Sequence, residues 1–278
     1  MTDHWQIYAL KYAERNARTR ADSFIMDDDH ASPHAMDYYV WLLQSGDRSI
    51  VVDTGYDPDE ADRRNRPILQ NPARMLDRMG VRDDRVDTII LTHLHYDHAG
   101  GLKSYPNATL HLQAAEMAFA TGACMCQDHM RAPFTGEHVC DAVRALYAGR
   151  VEFSEGSREI APGVETHLIG GHSRGLQCVR VRTRRGWVVL ASDASHFYEN
   201  YRQGKPFPIV VDVAEMLTGF KTIRTLAESD DHVIPGHDPL VRRHFPALVA
   251  GDDSIVQLHA DPITVVEPDA AATGVLAK

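Results

Sequence analysis

The chain has 278 residues, so it is long enough to bury a large hydrophobic core, and no second domain is needed to account for its length. Its 39 acidic residues exceed its 29 Lys and Arg, giving a formal net charge of −10, which disfavours nucleic acid and favours small, neutral or metal-chelated substrates. No run approaches the roughly twenty apolar residues of a membrane span, and no secretory leader precedes the first aromatic residues. We therefore predict one domain covering residues 1–278, located in the cytoplasm.

The first predicted elements in chain order are strands. Residues 5–15 and 38–43 have strand-like patterns, and a turn at Asp47 and Arg48 precedes a third strand at 49–53. The β-branched, apolar run at 87–92 predicts a buried strand. Residues 57–72 lie between these strands, are rich in charge and proline, and are predicted to form a long loop.

In the second half of the chain, strands and helices alternate. The spacing of apolar residues predicts three helices, at 113–121, 138–148 and 213–227. Short apolar runs predict three further strands, at 164–169, 187–191 and 232–234. A second long loop is predicted at 122–137, which is rich in Cys, Met and Gly. Loops of this length often build binding sites, and a solvated excursion is the alternative for both.

The four cysteines are too few for a disulfide framework in a chain of this length. Cys124 and Cys126 lack the two-residue gap of a usual zinc pair, so we interpret them as free thiols, with metal binding by this pair as the alternative. After Leu258 the chain becomes rich in Ala and Asp. Residues 261–278 are interpreted as a flexible tail or as an arm packed on a partner, which leaves a homodimer open.

The densest group of metal-type residues follows the strand at 87–92 and comprises His93, His95, Asp97 and His98. His93 and His95 are two residues apart in an extended continuation, so they point to the same side and can reach one ion. The chain must turn before the following pair of glycines, which swings Asp97 and His98 toward a neighbouring position. One short loop therefore addresses two metal sites.

Three further candidate ligands, His172, Asp193 and His237, follow the strands of the second half. With the first group they supply five imidazoles and two carboxylates, enough for two zinc-class ions with positions left for water. An aspartate between two histidine clusters is a natural bridge, because each of its oxygens can meet one cation. A single histidine at a strand end is usually an ordinary surface or core residue, but the dense motif favours metal binding. The set predicts a metal-dependent hydrolase.

On these seven residues and the stretch from Val51 to Gly55, the chain resembles the metallo-β-lactamase fold superfamily and, within it, the N-acyl homoserine lactonases. The resemblance runs from about residue 37 to about residue 238. It implies an α/β fold, a four-layer αβ/βα sandwich with a dinuclear site at one edge between the sheets. It assigns His93, His95 and His172 to the first metal, Asp97, His98 and His237 to the second, and Asp193 to the bridge.

The same resemblance implies an activity. Two divalent ions would hold a hydroxide that opens a lactone ring, and Asp97 would also orient this hydroxide. Zinc is the first candidate for the ions, with Mn²⁺, Co²⁺ or Fe²⁺ as alternatives. An N-acyl homoserine lactone is the first candidate substrate, with quorum quenching as the role. Lactonases of this branch carry a tyrosine three residues after the bridging aspartate. Here His196 holds that position and Tyr198 follows it, so either is a candidate proton donor, and packing within the loop is the alternative.

Several alternatives stay open. Asp53 either caps a turn or orients a ligand histidine, and we favour the second role. A glyoxalase II-like thioesterase would use the same loop, although the chain after His237 is too short for that family's glutathione-binding segment. A mononuclear iron dioxygenase is another alternative, because the same histidines suit iron. A phosphoesterase is disfavoured, since no cationic clamp is obvious beside the ligands.

Overall fold

The computed structural model describes residues 4–264, and its strands form two β-sheets. In chain order the strands are β1 (Gln6–Arg15), β2 (Met36–Ser45), β3 (Arg48–Val52), β4 (Thr88–Ile90), β5 (Thr109–Gln113), β6 (Val151–Ser154), β7 (Arg158–Ala161), β8 (Val164–Leu168), β9 (Gln177–Thr183), β10 (Gly186–Ser192), β11 (Val233–Pro235), β12 (Ala247–Val249) and β13 (Asp252–Gln257). The strands predicted from the sequence are all present, with ends shifted by one or two residues. Most of the predicted tail at 261–278 lies outside the described residues.

The larger sheet has eight strands in the spatial order β12-β13-β1-β2-β3-β4-β5-β6, and the smaller has five in the order β11-β10-β9-β8-β7. In the larger sheet β3, β4, β5 and β6 run parallel, so their carboxyl ends meet at one edge. In the smaller sheet β10 and β11 are parallel, and Ser192 is paired with Pro235 at their ends. The residues that follow these strands are therefore brought close together.

The helices are α1 (Pro58–Arg64), α2 (Pro72–Arg78), α3 (Tyr96–Ala99), α4 (Ala114–Ala120), α5 (Asp128–Arg131), α6 (Gly136–Tyr147), α7 (Tyr198–Gln203), α8 (Val213–Leu226) and α9 (Leu240–His244). The three predicted helices correspond to α4, α6 and α8 and are confirmed. Across residues 4–264, no helix has the length and apolar character needed to cross a bilayer.

Two hydrophobic cores arise because successive residues of a strand point to opposite faces of the sheet. On β3, Val51 packs in the core that the larger sheet shares with Leu76 of α2 and Ala142 of α6. Its neighbour Val52 packs in the core between the two sheets, which also holds Phe220 of α8. The layers of the fold are thus stacked in the order helices, sheet, sheet, helices, and the predicted four-layer α/β sandwich is confirmed.

The two predicted long loops are partly wrong, because both contain helices. Residues 57–72 include α1, which begins after Asp57. The Asp57 carboxylate caps this helix by accepting the Glu60 N–H at 2.8 Å. Pro58 occupies the first helical position and Asn65 ends the helix with a left-handed φ of 52°. Residues 122–137 contain a short 3-10 helix and α5. The start and stop residues were visible in the sequence, but the density of charge and proline hid the pattern.

Candidate metal centre

The first histidine cluster joins the loop after β4 to the loop after β8. His93, His95 and His172 are all buried, and the Nε2 atoms of His93 and His172 lie 3.2 Å apart. The ring centroids of His95 and His172 are 4.5 Å apart. Gly170 and Gly171 turn the chain into His172 with φ values of 72° and 78°, which side chains other than glycine rarely adopt. The three imidazoles face one point, as predicted for the first metal.

The second cluster is built by α3 and the end of β11. Asp97 and His98 are consecutive residues of α3, and both are buried. Asp97 carboxylate oxygens lie 3.9 Å from His98 Nε2 and 3.8 Å from His237 Nε2. The structure therefore groups the three residues predicted for the second metal.

Asp193 lies between the two clusters. Its Oδ2 is 3.2 Å from His172 Nε2, while its Oδ1 is 3.2 Å from His98 Nε2 and 3.0 Å from His237 Nε2. The chain turns sharply before it, because Ser192 has a left-handed φ of 48°. Each carboxylate oxygen thus faces a different cluster, which is the arrangement that a bridging ligand needs.

Contacts behind the imidazoles fix which nitrogen faces the centre. His172 Nδ1 donates to the Ile209 carbonyl at 2.7 Å, and His237 Nδ1 donates to the Asp37 carbonyl at 2.9 Å. A carbonyl can only accept, so the proton of the neutral ring lies on Nδ1 and the lone pair lies on Nε2. That lone pair is the one available to a metal ion.

Asp53 takes the second of the two roles considered for it, and its carboxylate also binds the residue that follows β4. Its Oδ2 lies 2.7 Å from His98 Nδ1, so it orients a candidate ligand, as favoured from the sequence. Its Oδ1 accepts the Thr92 N–H at 2.8 Å, and its Oδ2 accepts the Thr92 hydroxyl at 2.8 Å. A left-handed φ of 58° places the carboxylate against the end of β4.

The electrostatics of the centre fit a cation. Burial, with help from neighbouring imidazoles, lowers the pKa of His93 and His95 well below the usual value, so both rings are neutral and can ligate. Burial alone would lower the pKa of His98, but the carboxylates led by Asp193 and Asp53 raise it well above the usual value. His98 Nε2 and Asp193 Oδ1 are buried without a properly oriented hydrogen-bond partner among the described residues. A divalent ion would satisfy both atoms.

Glu116 of α4 holds both histidine loops and was missed by the sequence analysis. Its carboxylate accepts the Leu94 N–H at 3.0 Å, the Ser173 hydroxyl at 2.6 Å and the Gly175 N–H at 2.9 Å. Leu94 lies between His93 and His95, and Ser173 follows His172. A single glutamate in a helix gives no pattern that predicts such a contact, because most such residues face solvent.

The two candidate proton donors occupy different surroundings. His196 lines the cavity, stacks on Phe207 with ring centroids 3.7 Å apart, and has Nε2 at 2.9 Å from Asp193 Oδ2. Tyr198 is buried beside Tyr201 and His244 and is not among the residues that line the cavity. The geometry therefore favours His196 over Tyr198 for contact with a substrate.

A cavity of about 280 Å³ opens over the metal donors. Both segments predicted as long loops contribute to it, residues 57–72 through Arg64 and Arg66 and residues 122–137 through His129 and Met130. Both segments therefore form part of the cavity wall, and their role in binding stays a prediction. Arginines also line the cavity. The sequence showed no cationic cluster beside the ligands, because these arginines lie far from the ligands along the chain.

Two phenols missed from the sequence lie between Arg66 and the candidate ligand His237. The hydroxyls of Tyr38 and Tyr96 are 3.1 Å apart, and both residues line the cavity. The Tyr38 ring packs edge-on against His237 with centroids 5.2 Å apart. Tyr96 stands between the ligands His95 and Asp97 in the sequence, a position that the motif leaves unspecified.

The chain was compared with known proteins. A sequence model of the Metallo-beta-lactamase superfamily matches residues 36–262. A probable metallo-hydrolase of Mycobacterium tuberculosis is 29% identical over 250 residues, covering 80% of this chain and 77% of the relative. An N-acyl homoserine lactonase of Bacillus cereus is 27% identical over 216 residues, covering 72% of this chain and 80% of the relative.

Solved structures show the same fold. One of them is an N-acyl homoserine lactone hydrolase with the product N-hexanoyl-L-homoserine bound at its catalytic metal centre. It superposes on this chain with a TM-score of 0.74 at 23% identity, and the match covers 89% of this chain and 98% of the other. The family match covers most of the chain, and the site brings buried histidines and aspartates together within metal-binding distance. The chain belongs to the metallo-beta-lactamase superfamily and is a metal-dependent hydrolase.

Proposed function

We propose that this protein opens lactone rings by hydrolysis, with an N-acyl homoserine lactone as the first candidate substrate. The observation that carries the proposal is the position of Asp193, whose two oxygens lie 3.2 Å from His172 Nε2 and 3.0 Å from His237 Nε2 in opposite clusters. Such a carboxylate suits a pair of ions rather than one. Relatives named as N-acyl homoserine lactonases support the choice of a lactone.

The seven predicted ligands would hold two divalent ions, zinc first, with manganese, cobalt or iron as alternatives. His93, His95 and His172 would bind one ion, Asp97, His98 and His237 the other, and Asp193 would bridge them. When bound, such ions lower the pKa of a coordinated water and polarise a substrate carbonyl. The hydrogen bonds from Nδ1 of His172 and His237 to backbone carbonyls leave the Nε2 atoms facing the centre, which prepares the chain for such ions.

Two side chains would handle protons. Asp97 lines the cavity beside both clusters, so its carboxylate can orient the attacking water and accept its proton. His196 stacks on Phe207, which fixes the ring plane, and its Nδ1 is buried with no partner among the described residues. Because a carboxylate can only accept, the neutral His196 ring carries its proton on Nε2, which lies 2.9 Å from Asp193 Oδ2, and this N–H is the group that would donate to the alkoxide that leaves when the lactone ring opens.

The test is hydrolysis by protein that has been stripped of metal and reconstituted with zinc, manganese or cobalt. The panel contains acyl-homoserine lactones, other lactones and thioesters, and proton release is recorded together with product mass. We expect one acid equivalent per turnover on a lactone. Thioester cleavage without activity on any lactone would overturn the proposal in favour of the thioesterase, and oxygen uptake would favour the iron dioxygenase.

Asp193→Ala tests the bridge in the same preparation. We expect two ions per wild-type chain and fewer in the variant, measured by elemental analysis after dialysis, together with loss of turnover. Asp84→Ala is the matched control, because that carboxylate is partly exposed and pairs with Arg82 away from the cavity. Full retention of both ions by Asp193→Ala would rule out the bridging role.

A further inference from the structure

Four arginines line the cavity: Arg15, Arg18, Arg64 and Arg66. The charge of Arg64 is matched, because its guanidinium contacts the Glu60 carboxylate. Within residues 4–264, the other three have no carboxylate within ion-pair distance. Three cationic side chains thus line the cavity without an ion-pair partner, although the Asp22 carboxylate lines it as well, in a protein with a formal charge of −10.

Arg18 is the most enclosed of them, with only 7% of its surface exposed. Its Nη2 donates to the Asp22 carbonyl at 2.7 Å, but Nε and Nη1 are buried with no partner among the described residues. Buried charged groups are normally paired, since removing an unpaired cation from water is unfavourable. Because Arg18 lines the cavity, an anion inside it would supply the missing partner.

Arg66 faces the same space. Its Nη1 donates to the Tyr96 hydroxyl, and its guanidinium lies 5.1 Å from the centre of the Tyr96 ring. Burial lowers the pKa of Arg18, and Tyr38 and the Asp22 carboxylate oppose this shift, while the positive charges of Arg15 and Arg66 add to it, so the three arginines are close enough to repel one another. An anion between them would relieve that repulsion.

We infer that Arg18 and Arg66 bind a carboxylate carried by the substrate, at the end of the molecule remote from the scissile ester. The inference rests on the proposed function and narrows its substrates to lactones that bear an acidic group. The Tyr38 and Tyr96 phenols lie between Arg66 and the candidate ligand His237, so one substrate can reach both the arginines and the metal centre.

A carboxylate suits the site better than a phosphate. Asp22 lines the same wall, and its negative charge disfavours the second charge that a phosphate carries near neutrality. The negative charge of the whole chain does not oppose binding, because exposed charges beyond about 10 Å are screened by salt. Apolar lining residues, including Met36 and Ile209, can hold the carbon chain that joins the carboxylate to the lactone.

The first test compares two lactones that share a ring and differ at the far end of the acyl chain, one ending in a carboxylate and the other in its methyl ester. We expect wild type to prefer the acid by about tenfold or more in kcat/KM, the effect of one charged hydrogen bond. Arg66→Gln and Arg18→Gln should each reduce this ratio toward one. Arg82→Gln, outside the cavity, should keep it.

The second test measures binding without catalysis, so it stands even if no lactone is hydrolysed. Metal-free protein is titrated with glutarate, glutaramide and inorganic phosphate at constant ionic strength by calorimetry. We expect glutarate to bind best, and Arg66→Gln to raise its Kd by about tenfold or more while Arg82→Gln leaves it unchanged. Arg66 is only half-buried, so this variant tests the site even if Arg18→Gln fails to fold.

Each other outcome overturns the inference. Equal kcat/KM for acid and ester in wild type, or unchanged glutarate binding in Arg66→Gln, would mean that the arginines serve the fold alone. Tighter binding of phosphate than of glutarate would assign the pair to a phosphorylated ligand instead. Hydrolysis of neutral lactones together with no glutarate binding would keep the proposed function and remove the carboxylate subsite.

Discussion

At the scale of single residues, the centre depends on contacts behind the donors as much as on the donors themselves. Asp53 Oδ2 lies 2.7 Å from His98 Nδ1, while Asp37 and Ile209 offer carbonyls to the other rings. These partners fix ring orientation and protonation before an ion arrives. Buried partners of this kind give the chain a site that is organised in advance.

Asp53→Asn should weaken binding of the ion that His98 ligates by about 10- to 100-fold, the usual effect of removing a partner behind a ligand. Asparagine tolerates the left-handed φ of 58° and keeps the shape of the side chain, so the backbone should not change. Competition with a chromophoric chelator measures both affinities. Asp84→Asn is the control, and unchanged affinity for both ions in Asp53→Asn would contradict the role.

His196→Ala should reduce kcat on a lactone by about 10²-fold, because a placed proton donor contributes at least this much. His196→Tyr, which restores the tyrosine of the lactonases, should recover activity, whereas His196→Phe, which keeps a ring beside Phe207 but has no proton to donate, should not. Tyr198→Phe should have little effect, since Tyr198 does not line the cavity. Metal content is measured in parallel, because His196 contacts Asp193. A larger loss in Tyr198→Phe than in His196→Ala would reverse the assignment.

At the scale of elements, the loops that carry the ligands are short and are held from outside. α4 contributes no metal donor, yet Glu116 accepts hydrogen bonds from residues of both histidine loops. Gly175 allows this approach, because a Cβ there would lie 2.2 Å from the Glu116 nitrogen. The helix therefore acts as a clamp that keeps His93, His95 and His172 facing one point.

Glu116→Ala should lower the free energy of unfolding by about 3 kcal/mol, since it leaves three buried donors unpaired at about 1–3 kcal/mol each before relaxation. Metal affinity of the first cluster should fall with it. Urea titration and metal competition measure the two effects. Glu137→Ala on α6 is the matched control, because Glu137 is exposed. Loss of stability with no loss of metal affinity would limit Glu116 to a structural role.

The sequence predicted which candidate ligands the fold brings together, because they are local or follow clear strands. His93 and His95 stand in one motif, and the parallel strands β10 and β11 bring Asp193 and His237 together by topology. That Arg18 and Arg66 line one cavity could not be predicted in this way, since their proximity depends on how two irregular segments fold over the cavity. α1 was missed although its capping residues were present, because charge and proline dominated the pattern.

At the scale of the whole molecule, the centre lies where the two sheets meet. His93, His95, Asp97 and His98 follow β4 of the larger sheet, whereas His172, Asp193 and His237 follow strands of the smaller sheet. An ion bound by His93, His95 and His172 therefore connects the two sheets. The shared core, which includes Val52 and Leu190, connects them a second time. Metal binding and stability of the fold should consequently be coupled.

Removal of metal should lower the Tm of the protein by about 10 °C when the free metal concentration is about a thousand times the Kd. A ligand at that concentration contributes about 4 kcal/mol to the free energy of unfolding. In a chain of this size, 1 kcal/mol shifts the Tm by about 2–4 °C. Calorimetry of the chelated and reconstituted protein measures the shift, and added zinc should reverse it. If the chain is one domain, as we propose, each form unfolds in one transition, since both sheets share a core. In Asp193→Ala the shift should be smaller, because fewer ions bind. Two separate transitions, or a Tm indifferent to chelation in wild type, would show that the centre does not join the sheets.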